Sequence, residues 1–149
     1  MEQLNLPEYI FTIRSQEQRK YIFDTIRRKY VLLTPEEWVR QNFIRYLTEE
    51  KEFPEGLISI EKEFKLNKLS KRYDAVVFNK KGIPVLLIEC KAPSVTINQK
   101  VFDQIARYNI EFKVPYLLVT NGLKHILCKI DLATRKYGFL KEIPTYSGL

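Results

Sequence analysis

The sequence predicts an α/β domain built on a mixed sheet flanked by helices, and three observations carry that prediction. Two apolar runs, VLLIEC at 85–90 and YLLVT at 116–120, read as strands buried on both faces. The intervening segment Gln99–Phe112 places Val101, Phe102, Ile105 and Tyr108 or Asn109 at helical spacing. Upstream, TPEEWVRQNFIRYL opens with a helix-start signal: Thr34 as N-cap, Pro35 at the first helical position and Glu37 three residues after the cap.

The remaining elements follow in chain order. Residues 9–33 are rich in Tyr, Ile, Phe and Val and predict two short strands, near Ile10–Arg14 and Tyr30–Leu33, with an unassigned segment between them. The first helix runs to about Glu50, before Pro54. Leu57–Leu66 alternates apolar and polar residues, as a half-exposed strand does. Tyr73–Phe78 is the next strand, turning through Lys81-Gly82 into the central strand Val85–Cys90. After Tyr116–Thr120, Asn121-Gly122 marks a turn, and strands near Ile126–Ile130 and Lys136–Phe139 follow.

The 149 residues suit one domain, and 45% hydrophobic with 13% aromatic residues suit a folded one. Lys and Arg outnumber Asp and Glu by 25 to 18, a formal charge of +7 that favours a polyanionic partner, nucleic acid before an anionic membrane. No apolar run approaches the roughly 20 residues of a membrane span. The start MEQLNLPEYIF has no signal-peptide pattern, so a cytoplasmic protein is expected. Cys90 and Cys128 each lie in an apolar strand and read as buried reduced thiols. One histidine, His125, and no clustered cysteines argue against zinc and against catalysis by a histidine pair. Chemistry here would fall to carboxylates and lysines. No G-x-x-x-x-G-K-[ST] pattern occurs, so ATP-driven translocation is not expected of this chain.

Glu-x-Lys occurs four times, beginning at Glu49, Glu63, Glu89 and Glu111. Glu49 and Glu111 fall at helix ends and Glu63 on a solvated strand face, but Glu89 terminates an almost purely apolar strand. Residues i and i+2 of a strand share a face, so Glu89 and Lys91 are neighbours and Cys90 points away. If the two strands around Lys81-Gly82 pair antiparallel, Asp74 stands opposite Glu89, with Cβ atoms about 4.5–5.5 Å apart. Two carboxylates so placed require a shared proton or a cation, which a divalent ion or a neighbouring lysine supplies. A Glu89–Lys91 surface pair at a sheet edge is the plainer alternative.

The spacing D-(x14)-E-C-K after a glutamate-bearing helix resembles the PD-(D/E)XK nuclease superfamily. LTPEEWVRQNFIRYL, RYDAVVF, LLIECKAP, QIARYN and LLVTNG together resemble small proteins similar to the N-terminal nuclease domain of type I restriction enzyme R subunits. The likeness runs from about Tyr21 to Asp131, and the aspartate of its first half-motif is Asp74, preceded by Arg72-Tyr73 rather than proline. The resemblance implies a restriction-endonuclease-like fold occupying residues 1–149 as one domain, with 1–33 as a strand-rich extension. It implies a DNA phosphodiesterase dependent on Mg²⁺, with Mn²⁺ as the alternative ion. Asp74, Glu89 and the carbonyl of Cys90 would hold the metal, and Lys91 would orient the attacking water and offset charge on the phosphate. Endonucleolytic and exonucleolytic action both fit this core, and a larger restriction or repair assembly is the expected setting.

One glutamate should come from the first helix, and two compete. At about 100° per residue, Glu36 shares a side with Val39, Phe43 and Leu47, whereas Glu37 falls at the margin and serves the cap. Glu36 is favoured. Gln104 and Tyr108, four apart on one face of the second helix, match the family's Gln-x-x-x-Tyr motif and imply a contact beside the site or the DNA. Lys71, Arg72, Lys100 and Arg107 are candidate phosphate contacts. The reading from another class is a non-catalytic module, binding nucleic acid or protein, that retains the nuclease fold.

Overall fold

Two sheets and two helices organise the chain in the computed structural model, which describes residues 1–149. A small antiparallel sheet of β1 (Ile13–Gln16), β2 (Arg19–Asp24) and β3 (Lys29–Leu32) precedes helix α1 (Pro35–Glu50). A second sheet then runs in sequence order: β4 (Ile58–Leu66), β5 (Leu69–Phe78), β6 (Pro84–Cys90), β7 (Tyr116–Thr120), β8 (His125–Asp131) and β9 (Lys136–Leu140). Its neighbours are antiparallel except β6 and β7, which are parallel and joined across helix α2 (Gln99–Phe112). A parallel pair needs such a crossover, because no tight turn can reverse the chain twice.

The helices cover opposite faces of this sheet. Val39, Phe43 and Leu47 of α1 pack with Ala75, Val77, Leu86, Ile88, Cys90 and Leu118. Phe102, Ile105 and Ala106 of α2 pack with Val76, Leu87, Leu117, Val119 and Cys128. Strands β6 and β7 therefore have a helix on each side, which is why they are apolar at nearly every position. The predicted mixed α/β sheet with flanking helices is the observed architecture. Cys90 and Cys128 are free and buried, as expected. No helix is long and apolar enough to cross a membrane.

The element boundaries differ most in the N-terminal region. The first predicted strand lies at Ile13–Gln16 rather than Ile10–Arg14, and the unassigned segment is itself the central strand β2. Its basic residues hide the pattern: Ile22 and Asp24 face inward and are buried, while Arg19 and Lys20 stay in water. Strand β5 begins at Leu69 rather than Tyr73, because the Ser70-Lys71-Arg72 run pairs with β4 beyond the limit of the core.

Thr34 accepts the Glu37 N–H at 3.0 Å, so half of the predicted capping box forms. The reciprocal half does not, because the Glu37 carboxylate turns away toward Arg27, Arg40 and Gln41. At the Asn121-Gly122 turn, Asn121 Oδ1 accepts the N–H groups of Leu123 and Lys124, and Gly122 adopts a φ of +84°. A Cβ on Gly122 would meet Leu4 Cδ2 at 2.7 Å and displace that side chain, and the positive φ favours glycine whatever the space.

Candidate active site

Strand β6 delivers Glu89 to the α2 side of the sheet. Its register partner in the parallel strand is Val119, and both lie beneath α2 with Leu87. Lys71 Nζ from β5 donates to Glu89 Oε1 at 3.2 Å, and Lys91 Nζ approaches the same oxygen at 3.5 Å. The other oxygen, Oε2, is buried and has no hydrogen-bond partner. An unsatisfied buried carboxylate oxygen is costly, so it marks a place where another ligand or water would be bound.

Asp74 is placed by the β5–β6 ladder. Ala75 pairs with Ile88, Val76 with Leu87 and Val77 with Leu86, and the same register carried one step further sets Asp74 opposite Glu89. The predicted register therefore holds. The simple picture of two carboxylates on one face needs correction, because strand alternation breaks at Asp74. Ala75 and Val77 face α1, yet Tyr73 packs on the α2 side, and β4–β5 pairing is interrupted at Glu61 and Asp74. Glu61 has a φ of 55°, which absorbs the change of face in β4. Freed from the pleat, Asp74 accepts the Cys90 N–H through Oδ2 at 2.7 Å and Arg40 Nη1 through Oδ1 at 3.2 Å.

Burial first, and the charge of Glu89 second, push the Asp74 carboxyl up to about 7. The Cys90 N–H and the Arg40 guanidinium oppose that rise, and Glu36 adds to it. Asp74 and Glu89 are thus electrostatic neighbours, and Arg40 on Asp74, with Lys71 and Lys91 on Glu89, does not offset the burial of Asp74.

The two α1 glutamates separate cleanly. Glu36 is exposed, and its charge reaches Asp74; it forms the solvent end of the Val39–Phe43–Leu47 stripe rather than part of the core. Glu37, expected at the margin, is buried and ion-paired with Arg27 and Arg40. Glu36 acts on Asp74 through its charge, Lys91 lies beside Glu89, and Glu37 is joined to Asp74 only through the Arg40 guanidinium, which pairs with both.

A cleft of about 190 Å³ opens beside Glu89, lined by Lys71, Glu89, Lys91, Val101, Gln104, Ile105 and Tyr108. Gln104 and Tyr108 of α2 thus stand at the candidate site. Arg72 does not line this cleft; it is exposed on β5, paired across the ladder with Glu63. Lys100 and Arg107 are exposed on α2. The turn residue Asn121 donates to the Val95 carbonyl at 2.9 Å, steadying the loop that follows Lys91.

Sequence reasoning missed Arg40, Tyr73 and the second role of Lys71. Arg40 is buried; burial would weaken its charge, but Glu37 first and Asp74 next more than offset that and raise its pKa. The signal for it was present, since Arg40 follows Glu37 by three residues on the helix. The Tyr73 hydroxyl is buried without a partner, and burial followed by the Glu89 charge holds it protonated. Lys71 neutralises Glu89, a partnership that depends on the change of face at Asp74 and has no sequence signature.

No three His, Cys, Asp or Glu side chains converge as a metal-binding group. The donor set is smaller: two coupled carboxylates, one with a free buried oxygen, beside the backbone of Cys90. That set fits Mg²⁺, which keeps several of its waters and commonly takes only one or two carboxylates from a protein.

A mixed sheet carrying an acidic pair at the end of a buried strand, with helices on both faces, is a restriction-endonuclease-like fold. The chain belongs to the family described as the type I restriction enzyme R protein N terminus, whose sequence profile matches residues 35–144. Among solved structures it is similar to a fragment assigned as an HsdR subunit of a type I restriction enzyme from Vibrio vulnificus YJ016. That similarity has a TM-score of 0.53 at 20% identity and covers 76% of this chain. The chain spans about a quarter, 24%, of that structure's length. No curated protein sequence matches it.

Proposed function

We propose that the chain hydrolyses phosphodiester bonds of DNA with the help of Mg²⁺ or Mn²⁺, in a restriction or DNA-processing role alongside further protein components. The observation that supports this most directly is the buried carboxylate pair Asp74 and Glu89, with Asp74 raised to about 7 and Glu89 Oε2 left without a partner. A divalent ion bound there supplies positive charge that polarises the phosphate and lowers the pKa of water. Asp74, Glu89 and the carbonyl of Cys90 would hold it, with Glu36 reaching the same region through water. Lys91 lines the cleft and would orient the attacking water and offset charge growing on the phosphate. Gln104 and Tyr108 line the same cleft and would position the strand, with Lys71 beside them.

The test is cleavage of supercoiled, linear and single-stranded DNA with Mg²⁺ or Mn²⁺, using Asp74→Asn and Lys91→Ala as controls. Cleavage that survives either substitution defeats the site assignment. One observation favours a non-catalytic binding module: the Arg40 guanidinium already sits on Asp74 Oδ1 and partly does a cation's work. The two readings separate on thermal midpoint, because a metal bound only by the folded state raises it. The enzyme reading expects a rise with Mn²⁺ that Asp74→Asn abolishes, and the binding module expects none.

A further inference from the structure

The small N-terminal sheet lies outside the residues that the family profile matches, and its two faces differ in chemistry. The inner face carries Ile22 and Asp24, both buried, and Asp24 docks the sheet on α1 through Gln41. The opposite face needs only to be soluble. Instead the β2 residues Arg19, Tyr21 and Phe23 share it with Arg14, the register partner of Tyr21, and Tyr30, the partner of Phe23. The two arginines are exposed and the three aromatic rings half-buried, so each ring keeps contact with solvent. Phe23 and Tyr30 meet edge to face at 5.2 Å, and the Arg14 guanidinium lies 3.9 Å from the Tyr30 ring centre. No carboxylate of β1, β2 or β3 lies on this face, and the nearest in sequence, Glu17, belongs to the β1–β2 turn.

We infer that this outer face is a platform for single-stranded DNA. Half-buried rings on one sheet face, interleaved with guanidinium groups of which Arg14 covers Tyr30 and can exchange with a base, suit unstacked bases and their phosphates. A duplex hides its base faces and could use only the arginines. The choice of DNA rests on the function proposed above, whereas the choice of a single strand rests on this face alone. A strand held here would be tethered beside α1, the helix that carries Glu36 and Arg40.

The experiment is fluorescence anisotropy of a labelled 15-residue oligothymidylate in metal-free buffer, so that binding is read independently of cleavage. The double variant with Tyr21→Leu and Tyr30→Leu keeps apolar bulk and removes two ring faces. It is expected to bind at least about 10-fold more weakly, from the usual contribution of base–aromatic stacking. Arg14→Gln with Arg19→Gln should flatten the slope of log affinity against log salt by roughly 0.7 for each phosphate that is no longer neutralised. If the tyrosine pair fails to fold, judged by circular dichroism, Tyr21→Leu alone carries the test. Unchanged affinity in the folded variants overturns the platform, as does wild-type preference for a duplex of equal length. Tighter binding of oligouridylate than of oligothymidylate overturns the assignment to DNA. A chain that binds the oligonucleotide but never cleaves DNA leaves the platform standing and defeats only the catalytic reading.

Discussion

Two acidic clusters lie on either side of Arg40, built from the same residue types and finished differently. In the first, Asp24 Oδ1 accepts the N–H groups of Ile26 and Arg27, and Oδ2 accepts from Arg27 and Gln41. Both oxygens of Glu37 are likewise taken, by Arg27 and Gln41 on one side and Arg40 on the other. In the second cluster, Glu89 Oε2 takes nothing, and Asp74 and Glu89 raise one another's electrostatic cost. Burial alone would raise Asp24, but the Arg27 N–H and guanidinium bring it below its ordinary 3.8, whereas Asp74 rises to about 7. Completed carboxylates hold the N-terminal sheet to α1. Uncompleted ones are where a ligand can still gain binding energy.

The difference makes the two clusters fail in different ways. Glu37→Ala takes a carboxylate from two arginines, one of them buried, but Asp24 still holds Arg27 and Asp74 still holds Arg40. The loss should therefore be about 1–3 kcal/mol rather than that of a buried charge left alone. A urea titration should show the midpoint falling, and a loss under about 1 kcal/mol would mean the network is ornamental. Asp74→Asn should instead leave the metal-free fold as stable as the wild type or more so, since it removes a desolvated carboxylate. Its effect should fall on cleavage, with a loss of about 10²–10³-fold, the scale seen when one group stabilising the transition state is removed. Equal damage to stability from the two substitutions would erase the distinction drawn between the clusters.

The candidate site was more legible in the sequence than the network that supports it. Glu89 declared itself because a charge at the end of VLLIEC conflicts with the burial of that strand, and the Lys81-Gly82 turn then fixed the register to Asp74. Helix α2 was equally plain, since Phe102, Ile105 and Asn109 keep one face buried throughout. Strand β2 was not, because an edge sheet with one dry face alternates too briefly to outweigh its basic residues. Glu37 was misjudged for a related reason. Helical angle places it at a margin, but its burial comes from Arg27, a residue of the β2–β3 turn whose approach no local periodicity records. The change of face at Asp74 belongs to the same kind: it depends on Glu61 in the neighbouring strand adopting a positive φ.

A smaller effect tests the separation of the two α1 glutamates. Glu36→Gln alters an exposed side chain, so its stability should stay within about 0.5 kcal/mol of wild type in a thermal melt. Cleavage should fall by roughly 10-fold, the order expected when a water-mediated partner of a catalytic ion is removed. A Glu36→Gln variant with full cleavage would return the choice between the two residues to where helical angle alone had left it.

The smallest effect is a difference in acid sensitivity. Asp24 has a folded pKa below its unfolded value, so the unfolded chain binds its proton more readily and stability falls as the proton is taken up. The contribution of Asp24 is therefore fully present above 3.8 and is lost as pH drops through the lower, folded value. Asp24→Asn keeps an oxygen for the turn N–H groups but has no charge to offer Arg27, so it starts less stable at neutral pH. As the medium is acidified below 3.8, the wild type loses that same charge, and the gap in thermal midpoint between the two proteins should close. A gap that stays constant through the acid limb would show that the difference between the two proteins does not come from the ionisation of Asp24. The ion pair that completes the first cluster would then contribute no more to stability than a surface pair.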